Sequence, residues 1–293
     1  MLNRIHKLLE MIRFSHTLFA LPFALLSAAL AWKYKNDFSI IELVGIISCM
    51  VCARTAAMAF NRIVDRKLDA ANPRTSGRHL PAGQLSVGHV WVFTIISSGG
   101  FVAATLIFLA RHNPWPTVLS LPVLAFIGGY SFAKRFTVLS HFWLGASLML
   151  APVASWIAIC GMRDLAASCV LGFAVLFWVA GFDILYACQD VNFDRTVGLF
   201  SIPARLGIRS SLWVALVCHL IMIGLLICLW AISPYLSWIY LAGVGCVGGL
   251  LAFEHWLVRP DDLARVNQAF FHVNGVISIG LFLVVLLQLA FVP

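Results

Sequence analysis

Nine apolar runs, each about as long as a bilayer-spanning helix, leave this chain few possible architectures. They cover approximately 14–32, 40–60, 88–110, 115–133, 139–160, 166–186, 212–232, 236–256 and 271–292. A hydrocarbon core needs about 20 helical residues to cross it. Backbone N–H and C=O groups must all be paired inside lipid, so runs of this kind are helices. Composition agrees. Of 293 residues, 61% are hydrophobic and 11% charged, with a mean hydropathy of +0.95, whereas soluble domains are nearer half apolar and a quarter charged. The runs use almost the whole chain and leave no room for a sizeable soluble domain. The expected fold is all-α: a polytopic membrane protein with about nine transmembrane helices in a bundle around a central cavity, forming one domain over residues 1–293. Arg4, Lys7 and Arg13 precede the first run, and no small-residue cleavage site with a polar segment follows it. It therefore reads as a span rather than a cleaved signal.

Formal net charge is +8. In a soluble protein that balance would suggest nucleic acid; here the cations sit in short connections and set topology. With the N-terminus in the cytoplasm, only Lys33, Lys35, Arg111 and Arg163 fall in outer connections, and Arg54 lies inside the second run. All other Lys and Arg are on the inner side, as the positive-inside rule requires. The chain thus reads as a multi-pass protein of a bacterial inner membrane, with polar connections near 61–87 and 187–211 facing the cytoplasm. The eight Cys lie mostly within apolar runs. Cys49 and Cys52 form a CxxC without a second pair or a His at ligand spacing, so the cysteines read as small apolar core residues. No disulfide framework is implied.

Each polar connection opens on an acidic helix end. Asp183, Tyr186, Asp190 and Asp194 fall at offsets of 0, 3, 7 and 11, which places them on one narrow stripe of a single helix. Asn61, Asp65 and Asp69 stand at i, i+4 and i+8 at the end of the second run, and Arg54 lies two turns earlier. Carboxylates on one face repel one another, and beside hydrocarbon each is costly, roughly 2.5–3.5 kcal/mol on insertion scales. A divalent cation held by oxygen ligands removes both costs. A solvated helix end with a charged exit loop would explain Asp194, but it explains the deeper Asp183 poorly. The two connections also share a weak repeat: DxxxD, a gap, then Arg and Pro.

Mg²⁺ takes one or two protein carboxylates and completes its shell with water and substrate phosphates. The neighbouring cations suit a diphosphate. Arg74, Arg78 and His79 follow the first acidic cluster, Lys134 and Arg135 end the fourth run, and Arg195 and Arg205 follow the second cluster. Taken singly, each is also explained by topology alone. A diphosphate site embedded in a membrane implies a lipid diphosphate. The 22 Phe, 10 Trp and 5 Tyr offer walls for a long apolar tail, and aromatic faces can stabilise a carbocation.

These residues resemble the UbiA superfamily of intramembrane aromatic prenyltransferases over essentially the whole chain. The family's NxxxDxxxD is matched by Asn61–Asp65–Asp69, and its DxxY followed by DxxxD by Asp183–Tyr186–Asp190–Asp194. NPRTSGRHLPAG and YSFAKRFT, the latter containing Tyr130 and Lys134, also match. The resemblance implies a nine-span helical fold. It implies that Asp65, Asp69, Asp190 and Asp194, with Asn61, hold Mg²⁺ against a prenyl diphosphate. Arg74, Arg78 and Lys134 would neutralise the diphosphate, while Arg54, Tyr130 and Asp183 would line an inner pocket. The family often has Asp directly after the Asn, where this chain has Arg62. The first run, IRFSHTLFALPFALLSA, lacks the opening common in the 4-hydroxybenzoate branch. It looks more like a branch linked to menaquinone made through a dihydroxynaphthoate.

The expected function is therefore Mg²⁺-dependent transfer of a polyprenyl chain to an aromatic carboxylated phenol, 4-hydroxybenzoate or a dihydroxynaphthoate, in respiratory quinone biosynthesis. Asp183 would hydrogen-bond or deprotonate the acceptor phenol or serve as a third metal ligand, and Arg54 would meet the acceptor carboxylate or the diphosphate. The expected partners are the two substrates and the bilayer, with no nucleic acid and no protein partner implied. Two rival classes remain. One is a transporter or ion channel using intramembrane Asp and Arg. The other is an enzyme that processes a prenyl diphosphate without an aromatic acceptor.

Overall fold

The computed structural model describes residues 2–12, 20–260, 263, 266 and 272–291. Arg13, Arg265, the opening of the first apolar run and the two ends of the last lie outside this set. The helices are α1 (Leu2–Met11), α2 (Leu21–Lys35), α3 (Ile40–Ala71), α4 (Val87–Leu109), α5 (Trp115–Ala133), α6 (Ser140–Cys160) and α7 (Ala166–Ala187). A 3-10 turn (Cys188–Asp190) comes next. The chain continues through α8 (Val191–Val197), α9 (Ile202–Leu206), α10 (Ile208–Ile232), α11 (Trp238–Leu257) and α12 (Asn274–Phe291). Eight spans among the described residues are long and apolar enough to cross a membrane. They correspond to the second through ninth apolar runs. The first run supplies α2, whose preceding residues are outside the described set.

The chain divides into two compact units, Met1–Thr17 with Ile40–Phe132, and Leu18–Ser39 with Ala133–Pro293. In the first, α3 is 32 residues long, about 48 Å at 1.5 Å per residue, so it continues well past the apolar run that begins it. α3 packs on α4 through small residues. Gly45 lies beneath the Phe108 ring, and a Cβ at Gly100 would sit 3.2 Å from Cys52 Sγ. The amphipathic α1 lays Met11 and Ile12 on Ala59 and Ile63 of α3 and on Leu85 and Val90. Ser86 caps α4 by accepting from His89 N, which satisfies one of the orphan donors of a helix start.

In the second unit α7 is central: 67% of its apolar window is buried, against 44% or less for the other spans. It contacts α6 and α10 closely because glycines allow it. Gly145 of α6 lies against the Leu176 backbone, Gly172 against Met149 and Val153, and Gly181 against His219. Several buried polar side chains pair across helices, where lipid offers no alternative partner. Trp178 Nε1 donates to Asn274 Oδ1 at 2.7 Å, and Asn274 Nδ2 to Glu254 Oε1 at 2.9 Å. Gln288 bridges Tyr240 N and the Tyr235 carbonyl. Cys188 and Cys218 are buried, whereas Cys228 and Cys246 are exposed and Cys49 and Cys52 half-buried. The core reading of the cysteines thus fits only the first two.

Candidate active site

The first acidic cluster is built by the last three turns of α3. Asn61, Asp65 and Asp69 are all buried. Helical spacing of four stacks them, and Asn61 Nδ2 donates to Asp65 Oδ2 at 3.1 Å. Past Ala71 the chain turns tightly. Asn72 Oδ1 accepts from Arg74 N, the Asn72 carbonyl from Thr75 N and Ser76 N, and the Thr75 carbonyl from Arg78 N. Thr75 Oγ1 ties this loop to the Asp69 carbonyl at 3.1 Å. The result folds Arg78 back onto α3, where its Nη1 donates to Asp69 Oδ1 at 2.7 Å. Arg74 stays exposed. Arg62 is buried, 3.9 Å from Asp69 Oδ2, and its Nε donates to the Met11 carbonyl. It acts as an internal counter-ion that also ties α1 to α3. Arg54 lies within electrostatic reach of Tyr130 and Arg62. Four of the expected residues thus form two bonded pairs along the end of α3, Asn61 with Asp65 and Asp69 with Arg78, and Arg54 lies within electrostatic reach of Tyr130.

The second cluster lies in the other unit. Here the expectation of one narrow stripe on a single helix is corrected. α7 ends at Ala187, and the 3-10 turn at Cys188–Asp190 intervenes before α8. Such a turn advances about 120° per residue instead of about 100°, so three residues rotate α8 by about 60° relative to a continuous helix. Asp183 and Asp194 make different hydrogen bonds, with His141 close to both. Asp183 Oδ2 is 2.7 Å from His141 Nδ1, near the start of α6. Ile202 N–H donates to His141 Nε2 at 3.4 Å, so Nε2 is the acceptor and Nδ1 carries the proton shared with Asp183. Asp194 Oδ2 accepts from Ser201 Oγ at 2.7 Å, and Asp190, Lys134 and His141 lie within its electrostatic reach. Lys134 is anchored by its carbonyl, which accepts from Phe200 N at 2.7 Å. Tyr186 packs beside an apolar cluster containing Ile184, Leu185 and Ile202.

His141 and Ser201 escape a reading by spacing. His141 is a lone His at the head of an apolar run, and Ser201 sits in a connection whose serine suggests only a helix cap. Ser201 is in fact that cap as well, accepting from Ala204 N.

The expected ligands are oxygen donors throughout, four carboxylates and the Asn61 amide, a set that suits a hard cation. Asp69 Oδ2 is buried with no hydrogen-bond partner among the described residues and faces only the Arg62 guanidinium at 3.9 Å, so its lone pairs suit a ligated cation. No three His, Cys, Asp or Glu gather closely enough among the described residues to hold a metal by themselves. Mg²⁺ does not need such a cage when phosphate oxygens complete its shell. The residues therefore fit a metal that arrives with a diphosphate.

Residues 20–276 match the model of the UbiA prenyltransferase family. The chain belongs to the UbiA prenyltransferase family. It is an integral membrane prenyltransferase. A protein of Pseudomonas fluorescens SBW25 named 4-hydroxybenzoate octaprenyltransferase is 30% identical over 264 residues, covering 88% of this chain and 84% of the relative. One of the same name from Methylobacillus flagellatus is 29% identical over 232 residues, covering 78% of this chain and 75% of the relative. The apo structure of a UbiA homologue from Aeropyrum pernix K1 superposes with a TM-score of 0.84 at 29% identity, covering 93% of this chain and 98% of that one. A UbiA homologue from Archaeoglobus fulgidus, solved with DMAPP and Mg²⁺, shares the fold at 18% identity, with a TM-score of 0.69 over 98% of this chain and 100% of its own.

Proposed function

We propose that this prenyltransferase moves a polyprenyl chain from a prenyl diphosphate onto a ring carbon of an aromatic carboxylated phenol, with Mg²⁺, in respiratory quinone biosynthesis. The observation that carries the reading is the pair of aspartate motifs. Asn61–Asp65–Asp69 and Asp190–Asp194 each have an aspartate already oriented by a cation or a hydroxyl. In one domain facing the cytoplasm of a bacterial inner membrane, Asp65, Asp69, Asp190 and Asp194 would hold Mg²⁺. When bound, Mg²⁺ would offset the charge developing on the departing diphosphate. Arg74, Arg78 and Lys134 add positive charge to the same task. Arg78, bonded to Asp69, would offer its remaining guanidinium N–H groups to a phosphate oxygen. Arg54, beside Tyr130, presents a planar fork suited to a carboxylate. Asp183, held by His141, would accept a hydrogen bond from the acceptor phenol and direct attack of a ring carbon on the allylic carbon as its C–O bond to the diphosphate breaks. That ring carbon would then lose its proton to the released diphosphate, which restores aromaticity. Exclusion of water protects the allylic carbon from hydrolysis.

The names of the relatives favour 4-hydroxybenzoate as acceptor. The first run, IRFSHTLFALPFALLSA, favours a dihydroxynaphthoate as a second reading. An acceptor panel tests both: purified enzyme, geranyl diphosphate and Mg²⁺ with 4-hydroxybenzoate or with dihydroxynaphthoates. Turnover with 4-hydroxybenzoate is expected. Turnover with a dihydroxynaphthoate alone moves the acceptor to the second reading, and no prenylated product with any aromatic acid overturns both.

A further inference from the structure

One short segment leading into α9, Phe200–Ile202, bonds the Lys134 backbone and the Asp194 carboxylate directly and reaches Asp183 through His141. Phe200 N donates to the Lys134 carbonyl at 2.7 Å, and the Phe200 carbonyl accepts from Ser140 Oγ at 3.4 Å. Ser201 Oγ donates to Asp194 Oδ2 at 2.7 Å, and Ile202 N donates to His141 Nε2, whose Nδ1 meets Asp183 Oδ2. Ser201, Ile202 and His141 are buried. A carboxylate with two free torsions has no fixed direction beside hydrocarbon, whereas one held by a buried donor does. Partners that hold a catalytic or ligating group in this way typically matter 10–100-fold.

We propose that Phe200–Ile202, with His141, is a positioning strap that aims two carboxylates at two different substrates. His141 is the positioning residue for Asp183, and Ser201 is the positioning residue for Asp194. The inference rests on the reading that Asp183 serves the aromatic acceptor and Asp194 the metal–diphosphate. The two arms make opposite predictions. Loss of the His141 arm weakens use of the acceptor, while loss of the Ser201 arm weakens the metal–diphosphate.

The imidazole can be dissected. An Asn at position 141 places an amide N–H near the Nδ1 position and keeps the bond to Asp183. A Gln places its amide near Nε2 and keeps only the contact with Ile202. In purified enzyme with geranyl diphosphate, Mg²⁺ and the active acceptor, H141Q should raise the acceptor KM by about tenfold or more, the scale of a lost charge-assisted bond. H141N should stay within about threefold of wild type, and neither should alter the KM for geranyl diphosphate by more than that factor. Ser201→Ala should reduce the rise in Tm that Mg²⁺ plus geranyl diphosphate confers, without raising the acceptor KM. Equal acceptor KM in H141N and H141Q, or a full ligand-induced Tm rise in S201A, overturns the strap. A packing role would affect Asn and Gln alike, and a variant that does not fold is bypassed by its conservative partner. Asp183→Asn and Asp194→Asn run alongside. If these leave both KM values unchanged, the site reading itself fails, and that result is separate from failure of the strap.

Discussion

Gly145→Ala should loosen the α6–α7 contact and, through it, the His141–Asp183 pair. A Cβ at Gly145 would overlap the Leu176 carbonyl oxygen and lie 3.1 Å from its carbon and 3.3 Å from its Cα. Comfortable carbon contacts are about 3.5–4.0 Å, and every atom met is backbone, so no side chain can swing away. The helices must part by about 0.5–1 Å. Overpacking of this kind costs about 1–3 kcal/mol. The helical advantage of Ala over Gly, about 0.5–1 kcal/mol, offsets only part of it. A net loss of about 1–2 kcal/mol is expected. His141 lies one turn before Gly145, and Asp183 two turns after Leu176, so their 2.7 Å bond would stretch towards the limit of about 3.5 Å. Gly224→Ala is the control, because a Cβ there meets nothing within 4 Å. Thermal unfolding in detergent should show a lower Tm for Gly145→Ala and an unchanged or higher one for Gly224→Ala, with a raised acceptor KM only in the former. Equal stability of the two variants would refute the packing argument.

Arg78→Ala removes the cation bonded to Asp69 and should raise the KM for the prenyl diphosphate about tenfold or more, the scale of a charged hydrogen bond; steady-state kinetics with varied diphosphate checks it. Arg54→Ala should raise the KM for the aromatic acid while leaving that for the diphosphate alone, and the opposite pattern would move Arg54 to the diphosphate. Trp178→Phe keeps an aromatic side chain but removes the pyrrole part of the buried indole and leaves Asn274 Oδ1 without its donor, the latter alone costing about 1–3 kcal/mol. It should lower Tm without changing either KM, and an unchanged Tm would show that the buried Trp178–Asn274–Glu254 chain contributes little.

The spans were legible because each is long, apolar and interrupted by charge, and the helices from Val87 to Leu257 begin and end within a few residues of the apolar runs. What hydropathy misses is helix that persists after the apolar residues stop. α3 carries Asn61, Asp65 and Asp69 on regular helix to Ala71 because Arg62 and Arg78 supply counter-charge. The spacing of Asp183 to Asp194 suggested an unbroken stripe. Periodicity carries no sign of the 3-10 turn at Cys188–Asp190, which breaks the α-helical register between Asp183 and Asp194. His141 and Ser201 were illegible for a further reason. Each acts through a contact with residues about 40 or 60 positions distant, or through a bond that looks locally like a helix cap, and neither leaves a motif. Arg62 stood out only as a departure from a family pattern, and its contacts with Asp69 and Met11 give that departure a physical role.

The most direct test of the central claim is diphosphate release by purified enzyme from geranyl diphosphate, with and without Mg²⁺ and with and without the aromatic acid. Release should require both, appear in step with prenylated product, and vanish in Asp65→Ala, Asp69→Ala, Asp190→Ala and Asp194→Ala proteins that still insert into membranes. Release at the same rate without the aromatic acid, or full activity in any two of those variants, would contradict it.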